Sequence, residues 1–184
     1  MVEQFKIVDL GEYAPLHNGI LGQSAFAFAS GPNLRLVACL KTPGLVDLTG
    51  PEGLKISLAK DQIAMQPNSQ IQMVEAVSQT ASCLKFDSTD DLQKGDKLAI
   101  ILERGVIIEG ELSMALNKTT RRLAEESSTL RLKIGASQSV KGKYGSPVVN
   151  LKNGHVVGIL ISADKPENPT IVEFDTISAT PKVP

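Results

Sequence analysis

One glycine-rich stretch, Gly142 to Ile159, reading GKYGSPVVNLKNGHVVGI, sets a tyrosine, a serine and one of the two histidines close together in sequence. Ser146 is the hydroxyl of this loop in which a nucleophile can be sought. A serine attacks a carbonyl only when a neighbouring base takes its proton and a carboxylate holds that base in the useful tautomer. The only imidazoles are His17, in a loop context before Asn18-Gly19, and His155, in the turn Asn153-Gly154-His155. One reading is therefore a hydrolase built on Ser146 with His17 and some carboxylate. The other is a small residue that serves close packing beside Pro147. Tyr144 offers a phenol of pKa about 10, poorly suited to acyl transfer. It reads either as a tolerated residue or as an aromatic plug or anchor for a partner, since tyrosine is enriched at interfaces. Lys141 and Lys143 flank it and make the loop mildly basic, which suits an acidic peptide or a free C-terminus.

The remaining reactive groups point away from metal and cofactor chemistry. Cys39 and Cys83 sit in the apolar runs LVACL and ASCLKF, where a small buried thiol is expected and a disulfide stays open. With no CxxC pair and no His/Cys cluster at ligand spacing, a structural zinc is not expected. The acidic run Asp87 to Lys94, DSTDDLQK, lacks the glycine and distal glutamate of a calcium loop and reads as a solvated connector. No cofactor is expected.

The elements that must position these residues read as strands throughout. Twelve short aliphatic segments, from Phe5–Leu10 to Thr170–Phe174, recur along the sequence with turn clusters such as Gly31-Pro32-Asn33 and Lys152-Asn153-Gly154 between them. Such a pattern predicts an all-β sandwich or barrel. Only Thr119 to Ser127 is rich in helix formers, and it is too short and too weakly striped for more than one or two turns. Asp87 to Lys94 is the best linker candidate, dividing the protein into a half of about 1–88 and a half of about 89–184.

Composition narrows the partners. The protein has 184 residues, 42% of them hydrophobic, and a formal net charge of -1. That length supports one substantial core or two small barrels sharing an interface. The charge gives no electrostatic reason to expect nucleic acid or an anionic membrane surface. No apolar run approaches the roughly 20 residues that span a bilayer, and MVEQFKIVDLG lacks a leader pattern, so a soluble protein is expected.

The loop at Gly142 resembles the nucleophile loop of trypsin-like serine peptidases, in which glycine, any residue, serine, glycine, a small residue and proline precede an aliphatic strand, a turn and a strand ending Val-Gly-Ile. Tyr144 stands in the serine position. Gly22 to Phe28, the turn at Gly31-Pro32-Asn33 and Leu36 to Leu40 are similar to the strands that carry the catalytic histidine in the bacterial HtrA-like branch, with Leu40 at the histidine. Thr80 to Phe86 is similar to the aspartate segment, with Thr80 at the aspartate. Asp91 to Ile100 resembles the entry to the second barrel, and Thr170 to Ile177 the strand and tail that follow the substrate pocket. The resemblance implies two six-stranded antiparallel β-barrels in one unit, with all three catalytic positions (Leu40, Thr80, Tyr144) vacated. It implies backbone N–H donors at Gly142 and Tyr144 where the family builds its oxyanion hole. The expectation is a catalytically inactive homologue that binds protein or peptide around Gly142, Lys143, Tyr144, Gly145 and Ser146, where strand addition needs no triad. The alternatives are a hydrolase using Ser146 and a structural or assembly domain.

Overall fold

The computed structural model describes residues 5–7, 11–30, 34–40, 47–50, 54–57, 63–65, 71–75, 81–86, 92–113, 129–135 and 138–176. All regular elements among them are strands. They are β1 (Phe5–Ile7), β2 (Leu16–Asn18), β3 (Gln23–Ser30), β4 (Leu34–Leu40), β5 (Asp47–Thr49), β6 (Lys55–Ser57), β7 (Ile63–Met65), β8 (Ile71–Glu75), β9 (Ala81–Lys85), β10 (Lys97–Glu103), β11 (Val106–Leu112), β12 (Thr129–Ile134), β13 (Pro147–Asn150), β14 (Val156–Ala163) and β15 (Ile171–Thr176). Fifteen strands stand where twelve segments were expected, because β2, β5 and β7 are three-residue pieces too short to display a period-two pattern. Thr119 to Ser127 and Asp87 to Asp91 lie outside the described residues.

The C-terminal half is the expected six-stranded barrel, closed in the order β10-β11-β12-β15-β14-β13. The N-terminal half departs from the expected six strands. It is a nine-stranded sheet running β6-β5-β2-β3-β4-β8-β7, with β9 joining β3 and β1 joining β9, both in parallel, and among the described residues it forms a half-barrel rather than a closed one. β3 accommodates the extra neighbours by dividing its length. Leu16, His17 and Asn18 of β2 pair with its first residues, and β9 pairs with Phe28 and Ala29 near its end.

Side-chain size sorts the faces of β3 and β4. In Gln23–Ser30 the alanines at 25, 27 and 29 pack with Val37, Cys39, Leu48 and Cys83 on one face, while Phe26 and Phe28 point to the other. That second face carries Leu36, Ala38, Ile71, Met73 and Leu84, and it meets Ala99, Ile101, Val149, Val156 and Ile159 from the outer face of the closed barrel. The seam between the halves is thus a hydrophobic core in its own right. Strand β10 serves both sides of its sheet, with Leu98, Ile100 and Leu102 filling the barrel interior while Ala99 and Ile101 face the seam. Its five consecutive buried residues follow from this two-sided burial. In β12 only one face is covered, so Leu130, Leu132 and Ile134 alternate with exposed Arg131 and Lys133. Cys39 and Cys83 are both buried, as their apolar runs led one to expect.

Candidate functional site

Residues Val140 to Ser146 form two consecutive tight turns that share Lys143. The Lys143 N–H donates to the Val140 carbonyl at 2.9 Å, and the Ser146 N–H donates to the Lys143 carbonyl at 3.1 Å. Gly142 (φ 76°) and Gly145 (φ 99°) occupy the third position of each turn, where positive φ gives the type II signature. The loop is then fastened to both halves of the molecule. Gly145 N–H donates to the Leu160 carbonyl (2.8 Å) and Leu160 N–H to the Ser146 carbonyl (2.9 Å), while the Ser24 N–H of β3 donates to the Tyr144 carbonyl (2.8 Å). A Cβ at Gly145 would stand 1.9 Å from the Ser24 carbonyl oxygen, so the close approach of β3 to the loop requires glycine there.

With the backbone fixed, the side chains take definite places. Ser146 is fully buried, and its hydroxyl donates to the Lys143 carbonyl at 2.5 Å, closing the second turn from within. Tyr144 is partly buried against the interior cluster of the closed barrel, and that burial raises the pKa of its phenol. Lys143 ends in a 3.0 Å ion pair with Glu103 at the end of β10. Its hydrogen bond and charge hold the Glu103 carboxyl below the usual carboxylate range. Among the described residues, neither the Gly142 nor the Tyr144 N–H donates a hydrogen bond within the protein. These two backbone donors are what the loop leaves available to an oxygen ligand.

Leu40 ends β4 and packs, half-buried, on the seam cluster, whereas Tyr144 packs on the barrel cluster. Thr80 lies outside the described residues. His155 is half-buried at the far end of the β13–β14 hairpin from Pro147, where its N–H donates to Asn153 Oδ1 at 2.9 Å. No group of three metal-ligating side chains occurs among the described residues. A charged hollow of about 370 Å³ lined by Lys97, Glu109, Glu111 and Lys133 lies against β11 and β12 and shares no residue with the loop.

His17 corrects its sequence reading. It lies on β2 rather than in a loop, opposite Ser24, with Nδ1 3.2 Å from Ser24 Oγ. Burial is the main reason its pKa falls below 6.5, the Lys143 ammonium lowers it further, and Glu103 opposes both. Ser24 and Glu103 are therefore members of this neighbourhood that the sequence did not single out. Ser24 had lain in view within the Gly22 to Phe28 segment, but its tie to a loop 120 residues onward is a product of the fold.

Among the described residues no helix is long and apolar enough to cross a membrane. No protein-family model matches the sequence, and no curated protein matches it. Solved structures do. The HtrA-type protease AlgW with a decapeptide superposes at a TM-score of 0.58 with 14% identity, over 84% of this chain and 47% of that one. AlgW with a tripeptide gives a TM-score of 0.59 with 13% identity, over 91% of this chain and 57% of that one. Rv3671c from M. tuberculosis, as a serine-to-alanine mutant in its inactive form, gives 0.58 with 13% identity, over 89% and 80%. The chain thus spans about half the length of the AlgW proteins it matches. A closed six-stranded barrel, a second curved sheet packed on its side and a two-turn loop bridging them together give this protein the trypsin-like double-barrel fold of HtrA-type serine proteases.

Proposed function

We propose that this protein is a catalytically inactive trypsin-fold module that binds an extended peptide or its free end along the Gly142–Ser146 loop. One observation carries the reading: the loop holds two backbone donors, at Gly142 and Tyr144, that have no acceptor among the described residues, on a backbone pinned to both halves, while its hydroxyl is bonded within the loop. Binding an oxygen needs only those donors, but cutting a bond needs a nucleophile and a base. Tyr144 and Leu40 supply neither if they hold the serine and histidine positions that their segments resemble. The burial of Ser146 and its bond to Lys143 weigh against the hydrolase alternative. The peptides held by the AlgW structures support a peptide as the ligand class.

A structural role has one observation in its favour. Ile20 is 94% exposed and Leu21 38% exposed at the tip of the β2–β3 hairpin, on a turn that Asn18 braces through its Oδ1. The two readings separate on Tyr144. Titrating the protein with a panel of synthetic decapeptides bearing free C-termini, followed by tyrosine fluorescence and amide NMR shifts, is expected to reveal saturable binding that perturbs the Gly142 and Tyr144 amides. Tyr144→Ala is expected to weaken it by ~2 kcal/mol, roughly thirtyfold in Kd. Binding that ignores this substitution places the ligand elsewhere and favours the structural role.

Inactivity has its own check. After exposure to a fluorophosphonate probe, intact mass is expected to be unchanged. Stoichiometric labelling at Ser146 would show that the buried hydroxyl is a working nucleophile and overturn the proposal.

A further inference from the structure

The underside of the same loop carries a cluster that peptide binding does not use. His17 is half-buried at the junction of the two halves, and its ring nitrogen lies 3.2 Å from the hydroxyl of Ser24. Ser24 is the residue whose backbone grips the loop, its N–H on the Tyr144 carbonyl and its own carbonyl pressed against Gly145. Any change at the imidazole is therefore one residue removed from the backbone that presents the two open donors.

The charges around His17 are unevenly arranged. From the loop, Lys143 faces it with an ammonium, and from β10, Glu103 faces it with a carboxylate already committed to Lys143 at 3.0 Å. Neighbouring Lys141 is drawn off to Glu167 at 3.4 Å. On β5, Asp47 is exposed and engages this hairpin through its backbone carbonyl, which accepts from Asn18 Nδ2 at 2.8 Å. On β3, Gln23 and Ser24 bring no charge. A proton arriving from solvent at the half-buried imidazole thus creates a second cation in the field of Lys143, with one partly exposed carboxylate acting on both.

We propose that His17 is a proton-operated latch: neutral, it lets the β2–β3 hairpin clasp the Gly142–Ser146 loop; protonated, it pushes Lys143 away and loosens that clasp. Protonation makes both ring nitrogens donors, so in the charged form the Ser24 hydroxyl can only accept from Nδ1. The strain then falls on the Lys143 side chain and the two turns it joins. The sign follows from the depressed pKa. Above about pH 6.5 the neutral ring fits the fold without penalty, whereas below it the unfolded protein takes up the proton more readily than the folded one. Stability and loop order fall together as pH drops from 6.5 toward the folded-state midpoint.

The cluster is tested by ¹H–¹⁵N NMR between pH 4.5 and 8, with the His17 ring followed directly and told apart from the other imidazole by His155→Gln. His17 is expected to titrate below pH 6.5, and the amides of Gly142, Lys143, Tyr144 and Gly145 to shift with the same midpoint. In His17→Gln that transition is expected to vanish from the loop amides. In Lys143→Met, where the ammonium is removed with the stem retained, the His17 midpoint is expected to rise. Loop amides that hold still as His17 titrates, or a transition that survives in His17→Gln, would overturn the latch. So would a His17 midpoint unmoved in Lys143→Met, a readout that stands even if the glutamine variant folds poorly. None of these readouts involves a peptide, so the latch and the proposed function fail separately.

Discussion

Gly145→Ala is expected to destabilise the protein by roughly 3–4 kcal/mol, lowering the melting temperature by about 10 °C. The position has φ 99°, which costs an alanine on the order of 1–2 kcal/mol. The larger part is steric. A methyl carbon placed 1.9 Å from the Ser24 carbonyl oxygen cannot stay there, so β3 and the loop must separate. That separation stretches the Ser24–Tyr144 and Gly145–Leu160 backbone hydrogen bonds, each contributing about 1 kcal/mol net. Gly142→Ala makes the comparison informative. Its φ of 76° carries the same kind of backbone strain, but a Cβ there would lie 3.9 Å from its nearest neighbour, the Gly22 carbonyl oxygen, and its cost is expected to stay at about 1–2 kcal/mol. Urea unfolding of the two variants, read as a change in midpoint at constant slope, measures the difference. Equal losses would mean that β3 does not press on the loop.

The contrast between these glycines shows what was legible in the sequence. The motif GKYGSP announced a two-glycine loop before a strand, and the strands at Pro147–Asn150 and Val156–Ala163 follow as the pattern requires. Local chemistry of that kind is written in adjacent residues. The closed barrel was legible for a related reason: in Lys97–Glu103, Val106–Leu112 and Thr129–Ile134, burial produces runs or alternations that composition displays directly. The edges of the N-terminal sheet were not, since strands of three residues owe their pairing to neighbours rather than to any pattern of their own. At the site, the loop residues Gly142 to Ser146 were found together because they are contiguous. Their seating was hidden, because Ser24, His17 and Glu103 reach the loop from positions 40 to 126 residues before Lys143. His17 in particular looked like a loop residue before Asn18-Gly19, and only the pairing with Ser24 turns it into a strand position under the loop.

Phe28→Ala is expected to be the most damaging single truncation at the seam, costing about 3–5 kcal/mol. Phe28 is fully buried, and its ring lies 5.8 Å, centroid to centroid, from both Phe26 and Phe86 in tilted arrangements. Removing the ring takes away its apolar burial and leaves a void that strands fixed on both sides cannot fill, since Leu36 of β4 and Leu84 of β9 are held opposite it by their ladders. The position also decides how the molecule unfolds. Phe28 belongs to the cluster that includes Ile101, Val149 and Ile159 of the closed barrel, so its loss weakens the attachment of one half to the other as well as the sheet it sits in. Wild-type protein is therefore expected to melt in one calorimetric transition, because neither half keeps its seam face covered without the other. Phe28→Ala is expected to lower that transition by about 10 °C without splitting it. A low-temperature step that leaves a second step at the wild-type position would mean that the closed barrel stands alone and the seam adds little to it. Phe28→Leu refines the measure: it keeps most of the apolar volume and is expected to cost only about 1–1.5 kcal/mol, so a loss as large as that of alanine would point to the aromatic contacts themselves rather than to the space the ring fills.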